Sequence, residues 1–111
     1  MKKSEENLTT EITKQVDMDY LLYLPEGNAA APPPLMLFLH GAGERGDDLS
    51  LIKKNGPPRL IEDGQEFPFM VLAPQCPAGV WWQIDHLVAL LDEFLGEHEV
   101  DEDRIYVTGM S

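Results

Sequence analysis

Arg104-Ile105-Tyr106-Val107-Thr108-Gly109-Met110-Ser111 reads as an apolar β-strand that runs straight into Gly-x-Ser. Aromatic and β-branched residues suit a pleated strand. A glycine two places before a serine permits the sharp strand-to-helix turn that lifts a hydroxyl above the end of a sheet. Ser111 is therefore the candidate nucleophile. A serine hydroxyl attacks poorly until a base takes its proton, and the tetrahedral intermediate that follows needs N–H donors.

A second strand-and-turn upstream offers such donors. Leu35-Met36-Leu37-Phe38-Leu39 is a continuous apolar run that leads into His40-Gly41-Ala42-Gly43. Gly41 and Gly43 lack a Cβ, so the backbone there can bend tightly and approach a ligand. That leaves the Ala42 N–H as the candidate oxyanion donor. His40 has two readings, as the catalytic base or as a loop residue that orients main-chain donors; the second is favoured because the loop works through its backbone. Glu44, Arg45, Asp47 and Asp48 are expected to brace the loop or line a cleft mouth, with Arg45 paired to a neighbouring carboxylate.

Gly41-Ala42-Gly43-Glu44-Arg45-Gly46 also fits the G-x-G-x-x-G pattern of a dinucleotide site. The charges within and just after it crowd the place where a pyrophosphate needs bare N–H groups, and no helix begins inside the motif. The acids about 20 residues on, Glu62 and Asp63, end a helical segment rather than a second strand. A dinucleotide-binding protein is kept only as a remote alternative, and no cofactor is expected.

Around these motifs the pattern is that of an α/β chain. Phe69-Met70-Val71-Leu72-Ala73 is a second run apolar on both faces, as in the middle of a parallel sheet covered by helices. Leu8 to Leu24 alternates and predicts two extended segments, an antiparallel pair at a sheet edge. Asn28 to Pro34 predicts a short extended connector. Asp48 is placed to cap Leu49–Lys54, Pro57-Pro58 to open a helix over Arg59–Asp63 stopped at Gly64, and Asp85 to cap His86–Glu97. The fold class is α/β, a mixed and mostly parallel sheet with an antiparallel N-terminal edge. Residues 1–7 form a disordered polar N-terminus, and residues 8–111 belong to one domain.

Composition limits the rest. The 111 residues are 43% hydrophobic and 25% charged, ordinary for a globular chain, with a formal net charge of −12. Such a field repels phosphate backbones, so nucleic acid is excluded as a partner. No apolar run reaches the ~20 residues that a membrane span needs, and Met1 to Asn7 has no apolar core of a signal peptide. The single Cys76 excludes an internal disulfide and suits the cytoplasm; between Pro and Gln it reads as a packed thiol, not a nucleophile. His86 and His98 fall on or near a surface helix, and no Cys/His/carboxylate spacing resembles a metal site. Trp81-Trp82 either walls a pocket or packs under the following helix.

The segments Leu39 to Gly46, Val71-Leu72-Ala73-Pro74-Gln75-Cys76-Pro77 and Arg104 to Ser111 together resemble the α/β-hydrolase superfamily. The resemblance runs from residue 18 to the end and is strongest to the group containing phospholipase/carboxylesterases, dienelactone hydrolases and prolyl-oligopeptidase-like enzymes. It implies a Ser-Asp-His enzyme that cleaves esters or short peptides through an acyl-enzyme, without a cofactor. On this chain it implies Ser111 as nucleophile, Ala42 as oxyanion N–H donor and His40, Gly41 and Gly43 as loop support. The family's acid and base follow the nucleophile in the chain, so neither is assigned here. The expectation is thus the N-terminal portion of a carboxylesterase-like serine hydrolase acting on small-molecule esters and inactive by itself. A peptidase on the same scaffold, or a non-catalytic fragment that acts by binding, are the alternatives.

Overall fold

The computed structural model describes residues 1–27 and 31–110. Four strands, β1 (Tyr20–Tyr23), β2 (Leu35–Leu39), β3 (Met70–Pro74) and β4 (Ile105–Gly109), form one sheet in the order β1-β3-β2-β4. β2 runs parallel to both β3 and β4, whereas β1 is antiparallel to β3. The antiparallel N-terminal edge expected from the sequence is therefore present. It consists of β1 alone: residues 1–19 contain no strand, so the first of the two extended segments predicted over Leu8–Leu24 does not form. Leu8 and Ile12 are exposed, with no apolar face to cover them. Alternation over that stretch lacked the packing partner that makes a strand stable.

The two apolar runs lie where their composition demands. Every residue of β3 is buried, because it is flanked by β1 and β2 and covered on both faces. On one face Leu35, Leu37, Met70 and Leu72 pack against Phe94, with Leu90, Leu91 and Leu95 around it. These four come from α2 (Ile84–Glu97), whose 3.6-residue apolar stripe meets the 2-residue period of the strands. On the other face Phe38, Val71 and Ala73 pack with Ile52 and Ile61. Ile52 lies in a 3-10 segment, Leu49–Lys54, and Ile61 in α1 (Gly56–Glu62). Helical cover on opposite faces of parallel strands is the expected result of right-handed crossovers.

The local signals mostly hold. Asp48 accepts a hydrogen bond from the Ser50 N–H and caps the 3-10 segment as predicted. Pro57 and Pro58 occupy the first turn of α1, and Gly64, with φ +102°, follows its end. α2 begins two residues earlier than a cap at Asp85 would set; Gln83 is its N-cap residue, and Asp85 accepts from the His86 N–H within the first turn. β4 pairs with β2 alone among the described residues. Tyr106 and Val107 on it are 57% and 62% exposed.

Candidate functional site

Parallel pairing of β2, β3 and β4 brings their carboxyl ends to one edge of the sheet, which is where open α/β sheets bind ligands. Three segments leave from that edge: residues 40–48 after β2, residues 75–83 after β3, and Met110 after β4. Leu39 is in register with Gly109, and the Met110 N–H donates to Leu39 O at 3.1 Å. A Cβ on Gly109 would lie 3.0 Å from that same oxygen and 3.4 Å from Leu39 Cβ. The glycine is what lets the end of β4 seat this close to the start of the His40 loop. Ser111, the residue after Met110, lies outside the described residues.

The His40 loop closes as one 3-10 turn, Ala42–Glu44. Its own backbone bonds are long, Glu44 N–H to Gly41 O at 3.3 Å and Arg45 N–H to Ala42 O at 3.5 Å, against about 2.9–3.0 Å for a good amide bond. Side chains hold it more tightly. His40 is 1% exposed. Its Nε2 accepts from the Cys76 N–H at 2.9 Å, which leaves the ring proton on Nδ1, and Nδ1–H donates to Gly41 O at 2.7 Å. Both nitrogens are thus engaged with main-chain groups, and no lone pair remains for a catalytic base.

That bond has a geometric consequence. In a trans peptide the C=O and N–H point in opposite directions, and no cis peptide occurs among the described residues. Fixing Gly41 O toward His40 therefore turns the Ala42 N–H away from it. Ala42 is exposed, and its N–H has no acceptor among the described residues. A Cβ on Gly43 would meet nothing within 4 Å, and Gly43 is not among the positive-φ glycines. Neither packing nor backbone conformation requires a glycine there, which leaves an open approach for a ligand. Gly41, the residue that opens the turn, is buried.

The 75–83 loop is stitched to this turn at several points. Gly46 N–H donates to Cys76 O at 3.0 Å. Gln75 Nε2 donates to Glu44 O at 3.0 Å and Asp48 O at 2.8 Å, while its Oε1 is buried without a partner among the described residues. Trp82 Nε1–H donates to His40 O at 3.2 Å, and the two rings lie 4.7 Å apart. Trp82 thus braces the loop, in addition to lining a small cavity at this edge together with Trp81. Glu44 is buried and accepts from Asn55 Nδ2. Burial pushes the Cys76 thiol above its ordinary value, with Arg45 drawing it partly back; at 1% exposed it is a packing group.

Arg45 corrects an expectation. Among the described residues it pairs with no carboxylate. Its Nε donates to Ala42 O at 3.1 Å and an Nη to Val80 O at 2.8 Å, and its guanidinium lies 5.6 Å from the centre of the Trp81 ring. No sequence pattern marks these cross-loop partners, because a side chain bonded to main-chain carbonyls leaves no spacing motif. Parallel pairing of β2 with β3 is the signal that would have set Gln75 and Cys76 beside His40.

Of the other histidines, His86 lines a small cavity, about 80 Å³, with Cys76, Trp81 and Trp82 on the same edge of the sheet. His98 stacks on Phe94 at the far end of α2. A cavity of about 260 Å³ between Tyr23, Ile61, Phe67 and Phe69 sits at the amino end of β3, the opposite edge from the turn. Among the described residues no cluster of three His, Cys, Asp or Glu could hold a metal ion, and no helix is long and apolar enough to cross a membrane.

No protein-family model and no curated protein matches the sequence. Among solved structures, the crystal structure of a thermostable esterase matches with 31% sequence identity and a TM-score of 0.63. The match covers 83% of this chain and 30% of the esterase chain, so the 111 residues span about a third of that protein's length. Identity and backbone together support an esterase-like fold for the mixed sheet and its helices.

Proposed function

We propose that these residues carry the nucleophile and the oxyanion turn of a serine-dependent carboxylic ester hydrolase of the α/β-hydrolase kind. In this reading Ser111 Oγ adds to the ester carbonyl carbon, the alcohol departs, and water later releases the acid from the acyl-enzyme. The Ala42 N–H stabilises the oxygen that becomes negative, with His40, Gly41 and Gly43 as its support. The base and its acid partner belong, on this reading, to sequence outside residues 1–111. The substrate is a small-molecule ester, no cofactor takes part, and the single buried Cys76 suits a cytoplasmic protein.

The observation that carries the proposal is the in-register pairing of Leu39 with Gly109, reinforced by the Met110 N–H bond to Leu39 O. It makes the residue before Ser111 and the residue before His40 direct neighbours. The likeness to an esterase favours esters over peptides as substrates. Turnover of nitrophenyl acetate by the full-length protein, compared with its Ser111→Ala variant, tests it. Activity lost in the variant supports the reading, and activity retained overturns it.

A further inference from the structure

The two peptides that flank the Ala42 side chain are each held by one side chain. His40 Nδ1–H takes Gly41 O at 2.7 Å, and Arg45 Nε–H takes Ala42 O at 3.1 Å. Each of these bonds is shorter than the backbone bond to the same oxygen, 3.3 Å and 3.5 Å respectively. Both side chains are themselves anchored to the loop after β3, His40 through the Cys76 N–H and Arg45 through Val80 O. The turn is therefore a pair of peptide planes set from a neighbouring loop, rather than a helix holding its own shape. Without the second clamp the Ala42–Gly43 peptide keeps only a 3.5 Å bond, at the weak end of hydrogen-bond range.

Arg45 suits that work chemically. A guanidinium is planar, always charged and offers several N–H donors in fixed directions, so it can hold two carbonyls at once. Trp81 under its face limits its rotation. With no carboxylate partner among the described residues, its donors are committed to main-chain carbonyls. We infer that Arg45 is a positioning residue of the esterase reading above. By fixing Ala42 O and bridging to Val80 O, it holds the Ala42–Gly43 peptide and, across the Ala42 Cα, limits rotation of the adjoining Gly41–Ala42 peptide, whose N–H the developing oxyanion requires. The inference rests on that reading and adds a residue whose effect is exerted through Ala42, without touching substrate.

The test uses the full-length protein with Arg45→Met, which keeps the apolar stem, and Arg45→Lys, which keeps one donor. Competent sites are counted by titration with a fluorophosphonate, and kcat for nitrophenyl acetate is expressed per titrated site. Arg45→Met is expected to lower per-site kcat roughly 10- to 100-fold, below the roughly 10²–10³-fold cost of deleting an oxyanion donor outright. KM should stay within about threefold, as for a contact made mainly in the transition state. Affinity for a trifluoromethyl ketone, which forms an oxyanionic adduct, should fall in parallel with kcat, and Arg45→Lys should recover part of both. Per-site kcat within about threefold of wild type, or a loss confined to the number of titratable sites, would overturn the inference. If Arg45→Met yields no folded protein, wild-type kcat in Arg45→Lys overturns it alone. A wild-type protein that is not titrated at Ser111 removes the esterase reading itself, and this inference with it.

Discussion

Replacing His40 by alanine should damage stability first and activity as a result. The ring is buried and serves three partners: the Cys76 N–H, Gly41 O and the face of Trp82. Its removal orphans a buried amide donor, at a cost of about 1–3 kcal/mol, and forfeits a net hydrogen bond of about 0.5–1.5 kcal/mol. The tilted ring contact contributes about 0.5–1.5 kcal/mol beyond its area. A water drawn into the void returns part of the first cost, so the expected loss is about 2–4 kcal/mol. With a urea slope of about 2 kcal/mol/M, the unfolding midpoint of the full-length protein should drop by about 1–2 M. Amide exchange at Cys76 should accelerate along with it. His40→Gln, whose amide oxygen can still accept and whose nitrogen can still donate, should recover a share. A His40→Ala midpoint within about 0.3 M of wild type, together with lost turnover, would refute the reasoning, because that is the pattern of a base with no structural duty.

Three further outcomes follow from the same geometry. Gly109→Ala places a Cβ 3.0 Å from Leu39 O and should cost about 1–3 kcal/mol as β4 is pushed from β2, read by chemical denaturation. Gly43→Ala meets no neighbour within 4 Å, so stability should stay within about 0.5 kcal/mol while kcat/KM for a nitrophenyl ester falls, because the methyl occupies the approach to the Ala42 N–H. Acid should destabilise the fold in a defined window. Hydrogen bonds from Ser50, Lys14 and Arg104 hold Asp48, Asp85 and Asp101 below their ordinary 3.8, and Lys53 with Tyr23 holds Glu62 below 4.5. The unfolded chain therefore binds more protons than the folded one as pH falls below about 5, and melting temperature should decline from there toward pH 3, with no decline between pH 6 and 8 from these groups.

Much of the architecture was legible because burial writes itself into composition. A strand covered on both faces must be apolar at every position, and Leu35–Leu39 and the run ending at Ala73 are. Helix starts were readable to within a residue at Asp48 and Pro57, where a cap and a proline had a local mechanism, but α2 starts two residues ahead of where a cap at Asp85 would set it. The failure at Leu8–Val16 has a physical reason: period-2 alternation states which face would be buried, but not whether a partner surface exists. The turn at Gly41–Gly43 was legible as flexible backbone near a strand end. What holds it was not, since His40, Arg45 and Trp82 act on main-chain atoms of residues 35 to 42 positions away or on carbonyls three residues back. Such contacts exist only once β2 and β3 lie side by side. Ser111 stands apart from both lessons, as a candidate drawn from a motif whose structural half ends at Met110.

The central claim is that the serine after Met110 is the reacting group. Treating the full-length protein with a fluorophosphonate and mapping the modified peptide by mass spectrometry tests it most directly. The account predicts one adduct, on Ser111, abolished in Ser111→Ala and formed slowly in His40→Ala. An adduct on another residue, or none in a folded protein that still hydrolyses esters, would contradict it.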